Sequence, residues 1–161
     1  MNKNVLVVSD KTKDLVRAID ALTKQDVYVG IPSSKTERQE GQQITNAAIG
    51  YIQTNGAPEN NLPARPFLAP GILAVKDKIA SLFKKAGKNA IEGDVLAVEQ
   101  GLNAVGLVAQ VSAKNKITDG IPPPLKASTL AGRQARGRTG TTPLIDTGQL
   151  LNSITYVLRK R

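Results

Sequence analysis

Residues 72–109 read ILAVKDKIASLFKKAGKNAIEGDVLAVEQGLNAVGLVA, and two apolar stripes run through them. Ile72, Val75, Ile79, Leu82 and Ala86 step by three and four residues. Val95, Val98, Leu102, Val105 and Ala109 repeat the step beyond Gly93. Such spacing lines each set along one helix face, with the seam geometry of helix packed on helix. Gly87 and Gly93 flank the joint, so the pattern predicts two helices broken near Gly93 rather than one rod. Stripes of this kind are core or subunit seam, and they set the architecture around which the rest must pack.

Working back from the stripes, Asn55-Gly56-Ala57-Pro58 is a turn. It stops a short helix marked by Ile44, Ala48, Tyr51 and Ile52. Before that helix, Pro32–Gln43 is polar, of mixed charge and without a period, which predicts an exposed, mobile loop over 33–43. Asp26–Ile31 (DVYVGI) is β-branched and aromatic, and reads as a strand. Leu15, Ile19 and Leu22 give one apolar face to a helix from Thr12 to about Lys24. Asn4–Val8 is a short β-like run, with Ser9 or Asp10 placed to cap the helix that begins near Thr12.

Beyond Ile117 the texture changes. Gly120-Ile121-Pro122-Pro123-Pro124 cannot be helix interior, because proline lacks the amide donor and clashes with the preceding turn. A short helix from Leu125 to about Arg133 can come next. The segment 132–143 (GRQARGRTGTTP) is rich in Gly, Arg and Thr and is expected to be flexible in the free protein. Asp146 or Thr147 is placed to cap a helical turn over Gln149–Ile154. Thr155–Arg159 (TYVLR) alternates and predicts a closing strand beside Asp26–Ile31. The expected fold is α+β: a small, mostly antiparallel β-sheet packed with two long helices and several short helices, as a single domain over 1–161.

Composition narrows the chemistry. The 161 residues contain no Cys, which removes disulfides, thiolate nucleophiles and Cys-ligated metals, and no His, which removes the commonest general base. Candidate carboxylates such as Asp94 with Glu99, or Glu37 with Glu40, have none of the further groups a mechanism needs, and Ser9, Ser112 and Ser153 have no histidine. No Gly-Lys-Ser/Thr follows a strand, so the glycines form no phosphate loop. The expectation is a protein without catalysis, cofactor or metal. No signal-like start and no run of about 18 apolar residues argue for a soluble, cytoplasmic chain without membrane contact. The formal charge is +9, yet residues 121–161 hold seven basic residues against one acid, Asp146. Arg133, Arg136, Arg138, Arg159, Lys160 and Arg161 are therefore candidate contacts for a polyanion or a partner, unless they form only a solvated face.

Two ordered motifs remain. Leu62-Pro63-Ala64-Arg65-Pro66-Phe67-Leu68 stands between the turn and the first long helix. Pro122-Pro123-Pro124-Leu125, Thr129-Leu130 and the run Pro143-Leu144-Ile145-Asp146-Thr147-Gly148-Gln149-Leu150-Leu151-Asn152-Ser153-Ile154 come after the second. This order, over about Val27 to Val157, resembles the minor head–tail joining proteins of tailed bacteriophages: the neck, tail-completion and Mu-like virion-morphogenesis families. The resemblance implies a structural virion protein in a ring at the head–tail junction, residing in the host cytoplasm before assembly. Its implied partners are further copies of itself, other neck, connector and tail proteins, and packaged DNA passing the channel. A tail terminator of the same junction, or a basic DNA-binding module, is the alternative. The departures are the polar insertion at 33–43 and Thr54-Asn55, which bear on partner contacts.

The motif residues also have physical readings of their own. Pro63 and Pro66 hold the chain extended on both sides of Arg65, whose fork can grip a carboxylate or helix-end carbonyls, within the chain or on a neighbouring subunit. Phe67 and Leu68 should anchor the helix start in the core. Gly148 beside Thr147 fits a tight turn, and Leu150, Leu151 and Ile154 should pack the terminal helix onto the sheet. The loops 33–43 and 132–143 are expected to serve as docking arms that order when neighbours arrive.

Overall fold

A computed structural model describes residues 10–38 and 44–161, so the strand expected at Asn4–Val8 and a cap from Ser9 lie outside the described residues. The first described element is α1 (Thr12–Thr23), followed by β1 (Gln25–Gly30) and α2 (Asn46–Asn55). Next come α3 (Leu68–Leu73), α4 (Lys76–Ile91) and α5 (Val95–Thr118), then α6 (Ala127–Ala135), α7 (Gln149–Ser153) and β2 (Thr155–Lys160). The fold is α+β, with a two-stranded antiparallel sheet in which Gln25 faces Lys160 and Gly30 faces Thr155.

The axis is α5. Asp94 caps it by accepting from the Ala97 amide at 2.9 Å, and it buries Val98, Leu102, Val105, Gly106, Ala109, Ala113 and Ile117 along one face. By length and composition α5 could cross a membrane, but its buried face packs against α1, α3, α4 and both strands within the fold. The break falls at Gly93, whose φ of +78° suits glycine. On its other side α4 runs antiparallel along α5, Ala86 against Gly101 and Ala90 grouped with Val98, small residues that let the two axes approach.

The first stripe divides where one helix was expected. Ile72 belongs to α3, and Val75 at φ −117° separates it from α4. The break lets α3 press its own backbone on α5, where Gly71 lies so close that a Cβ would stand 2.6 Å from the Ala113 Cα. In contrast, Gly87 has open space around it inside α4. Gly87→Ala is expected to raise stability by about 0.5–1 kcal/mol, because alanine loses less backbone freedom on folding. A thermal melt checks this.

Two further faces differ from the sequence pattern. Helix α1 begins at Thr12 as expected, but the residue before it is Lys11, without a side-chain cap. Asp10, one position earlier, accepts from the Thr12 amide at 3.0 Å, and hydrogen bonding from Thr12 holds its carboxyl below its ordinary range. The helix packs through Ala18 and Ala21, with Leu22 beside them, while Ile19 is 41% exposed. Helix α2 buries Asn46 and Gly50, and leaves Ile44 exposed and Tyr51 72% exposed. Close approach decides here: a Cβ on Gly50 would touch Ile31, Leu150 and Phe67. Asn46 is buried because its side-chain amide donates to the Lys35 and Glu37 carbonyls while its oxygen accepts from Arg38. The part of the expected mobile loop up to Arg38 is thus tied to α2 and contains a 3-10 turn over Ser33–Lys35; residues 39–43 lie outside the described residues.

The sheet lies on α5. Val27 and Leu158 join the cluster around Ala18, Leu102 and Val98. The Gln110 side chain accepts from the Tyr156 amide and the Thr155 hydroxyl at 3.1 Å each, and the Tyr156 hydroxyl donates to Asn103. Helix α7 does not pack on the sheet as expected. Leu151 and Ile154 instead join Phe67, Ala113, Ile117 and Ile121 in a second core at the C-terminal end of α5, and Leu150 meets α2 at Gly50. That placement brings both sequence motifs to the same end of the molecule.

Candidate functional site

Helix α2 stops at Gly56, φ +76°, where any Cβ would stand 2.8 Å from the Ala64 nitrogen. Paired amides and carbonyls of Ala57 and Leu62 close the turn, and the Arg65 amide donates back to the Gln53 carbonyl at 2.7 Å. This pins Pro63–Arg65 along α2 and turns the Arg65 side chain inward, only 5% exposed. Its Nε and Nη2 both donate to the Pro123 carbonyl, at 3.2 and 2.8 Å, with Pro124 accepting at 3.5 Å. The fork is therefore an intrachain clasp on the proline run, whose carbonyls have no helix or strand to satisfy them. Phe67 is buried in the second core as expected, whereas Pro66 is exposed.

The second motif folds around another buried guanidinium. Arg133 of α6 donates through Nη1 to the Gly140 and Thr142 carbonyls at 2.7 and 3.2 Å, and its Nε lies 3.5 Å from Asp146. Arg138 also pairs with Asp146, and the Arg136 Nη2 stands 3.9 Å away. Residues 132–135 thus end α6, and the chain beyond them loops back onto Arg133. A buried charge that finds three acceptors organises its surroundings. Asp146 and Thr147 do not cap α7 either: the residue before the helix is Gly148 at φ +76°, with no side-chain cap. The Asp146 carboxylate is drawn away by arginines. Leu144 holds φ +65°, a conformation costing about 1–3 kcal/mol for a branched side chain, kept in place by packing in the second core.

Arg133→Ala is expected to loosen this loop. Losing about 1.4 kcal/mol of local stability raises the opened population about tenfold. Tryptic cleavage after Arg136 and Arg138 should accelerate by about that factor, measured under native conditions.

Between these pieces lies a cleft of about 500 Å³. Pro63, Arg65, Leu144, Asp146, Thr147, Gly148 and Arg133 all line it. The sequence did not single out Arg38, Ile49, Gln53, Asn61 or Lys126, which complete the walls. None carries a local signal, since each reaches the cleft only through the tertiary fold. Among the described residues no three Asp or Glu side chains gather as a metal site would require.

The remaining basic candidates lie apart from the cleft, since β2 leads away from α7 over six residues, roughly 20 Å. Arg159 sits over the Tyr28 ring at 5.9 Å, and Lys160 is exposed. Arg161 grips Asp26, with Nη2 and Nε at 2.8 and 3.0 Å from Oδ1. The hydrogen bond from Arg161 holds the Asp26 carboxyl below its ordinary value of 3.8, and the same pair raises Arg161. A depressed carboxylate adds stability above its unfolded value and loses it as pH falls through the folded one. The pair's small contribution should therefore fade below about pH 4, and Asp26→Asn should flatten that part of the acid-unfolding curve. The basic C-terminal quarter is thus divided between two ends of the fold and partly neutralised at both, not a single polyanion stripe.

No protein-family model, curated protein or solved structure matches this chain.

Proposed function

We propose that the chain is a structural virion protein of a tailed bacteriophage: a neck or tail-completion protein, without catalytic activity, that forms part of a ring at the head–tail junction. The observation that supports this best is the convergence of the two motif segments, with the proline run between them, on one cleft. Residues separated by some 60 positions are held there by a buried arginine clasp, a rigid surface of the sort that presents a docking site. Exposed apolar side chains elsewhere support a second contact: Leu73 on α3, Phe83 on α4, and Leu107 and Val111 on the outer side of α5. Ring subunits need two different surfaces that meet head to tail. The partners are further copies of the chain and the neighbouring neck, connector and tail proteins, in the virion after assembly in the host cytoplasm.

The pairing of Arg133, Arg138 and Arg161 with carboxylates favours protein partners over DNA. Isolated subunits are accordingly expected to bind duplex DNA only weakly at about 0.15 M salt, with a shallow salt slope. Electron microscopy of the particles tests the reading. The expected result is density for this chain as a ring between portal and tail tube; particles complete without it would overturn the proposal.

A further inference from the structure

The cleft carries a charge imbalance that its own walls do not resolve. Arg38, Arg65, Lys126 and Arg133 line it, and among the described residues a single acid does, Asp146, which already serves three arginines. Arg65 is the telling case. It is buried, and its fork donates to backbone carbonyls, dipoles that satisfy its donors without cancelling its charge. Burial alone lowers its affinity for the proton, with no carboxylate pulling the other way. A desolvated cation beneath an open cleft is stabilised by an anion brought from outside. The walls around these charges include the apolar Ile49, Leu62, Leu125 and Leu150, and among the described residues hold no aromatic ring on which a base could stack.

We propose that this cleft binds an acidic, leucine-rich peptide segment of a partner protein, its carboxylates meeting Lys126 and the charge of Arg65 and Arg133 while its apolar side chains fill the wall. The inference rests on reading the cleft as the assembly site, and names the chemistry of what docks there. Extended peptides suit such a site because alternate side chains face a wall while the others reach the charges.

The test uses the full chain, labelled for amide NMR, and three probes: a short peptide alternating leucine and glutamate, its leucine–glutamine counterpart, and a short DNA strand of mixed sequence. The glutamate peptide should shift the amides of Leu125, Gly148 and Leu150, and bind about tenfold tighter than the glutamine one, about 1.4 kcal/mol. Lys126→Glu should erase that preference while leaving the chain folded, because the Lys126 side chain is exposed and, among the described residues, its amine donates to the Asn61 carbonyl alone, at 3.2 Å. Equal binding of the two peptides, no binding of the glutamate peptide, or displacement of it by the DNA strand from the same amides overturns the inference. No ring is needed for this measurement. A chain that binds the peptide but fails to join heads to tails refutes the joining role alone; one that joins them but ignores the peptide refutes the peptide site alone.

Discussion

Gly71→Ala is expected to lower the thermal unfolding midpoint by about 6–10 °C. The added methyl would stand 2.6 Å from the Ala113 Cα and 3.0 Å from both the Ala113 nitrogen and the Ser112 carbonyl oxygen. All three are backbone atoms of α5, so no side-chain rotation relieves the overlap and α3 must move outward. That motion also stretches the bond by which the Ser112 hydroxyl donates to the Gly71 carbonyl at 2.6 Å. Overpacking of this kind costs about 1–3 kcal/mol, and backbone against backbone places it at the upper end. Gly87→Ala, which meets nothing, is the matched control. A melt of Gly71→Ala equal to that of the unaltered chain would show that α3 and α5 do not approach as described.

Arg65→Met carries the second large effect. Methionine keeps much of the stem's volume and removes the fork, so the Pro123 carbonyl loses both of its close donors, at 2.8 and 3.2 Å. Hydrogen bonds to a charged group contribute about 1.5–3 kcal/mol, and the expected loss is about 2–3 kcal/mol in denaturant unfolding at unchanged slope. Hydrogen exchange should quicken over Lys126–Leu130, whose first turn hangs on the clasped proline run. Arg65→Lys should recover less than half, because an ammonium lacks the planar two-pronged geometry. If Arg65→Met unfolds at the same denaturant concentration as the unaltered chain, the clasp has no energetic role and the cleft loses its frame.

Much of this fold was legible in the chain itself. The stripe from Val95 to Ala109 and the break at Gly93 set α5 and the helix hairpin, and the β-branched runs at 26–31 and 155–159 paired as their alternation implied. What failed did so for two physical reasons. Apolar counting follows large side chains, whereas this protein packs through small ones, so Ala18, Ala21 and Gly50 displaced Ile19, Ile44 and Tyr51 from the interior. Polar segments look mobile when their partners are distant in sequence. The path of 132–143 is set by Arg133 reaching the carbonyls of Gly140 and Thr142 and the carboxylate of Asp146, contacts that local sequence does not show.

The candidate site shows the same division. Arg65 was marked by its flanking prolines and Asp146 by its motif, but the cap assigned to Asp146 gave way to arginines that local sequence could not rank. Lys126 and Arg38 reach the cleft with no residue pattern that marks them for it. The acceptor for Arg65 is a backbone carbonyl 58 residues away, and carbonyls leave no mark in a sequence.

In vitro complementation tests the central claim most directly. On the proposed joining role, lysates of a phage made to lack this chain would be mixed with the purified protein, and infectious, joined particles counted. DNA-filled heads and separate tails are expected without the chain, and joined particles once it is added. Particles already joined in its absence, or no joining after its addition to competent heads and tails, would contradict it.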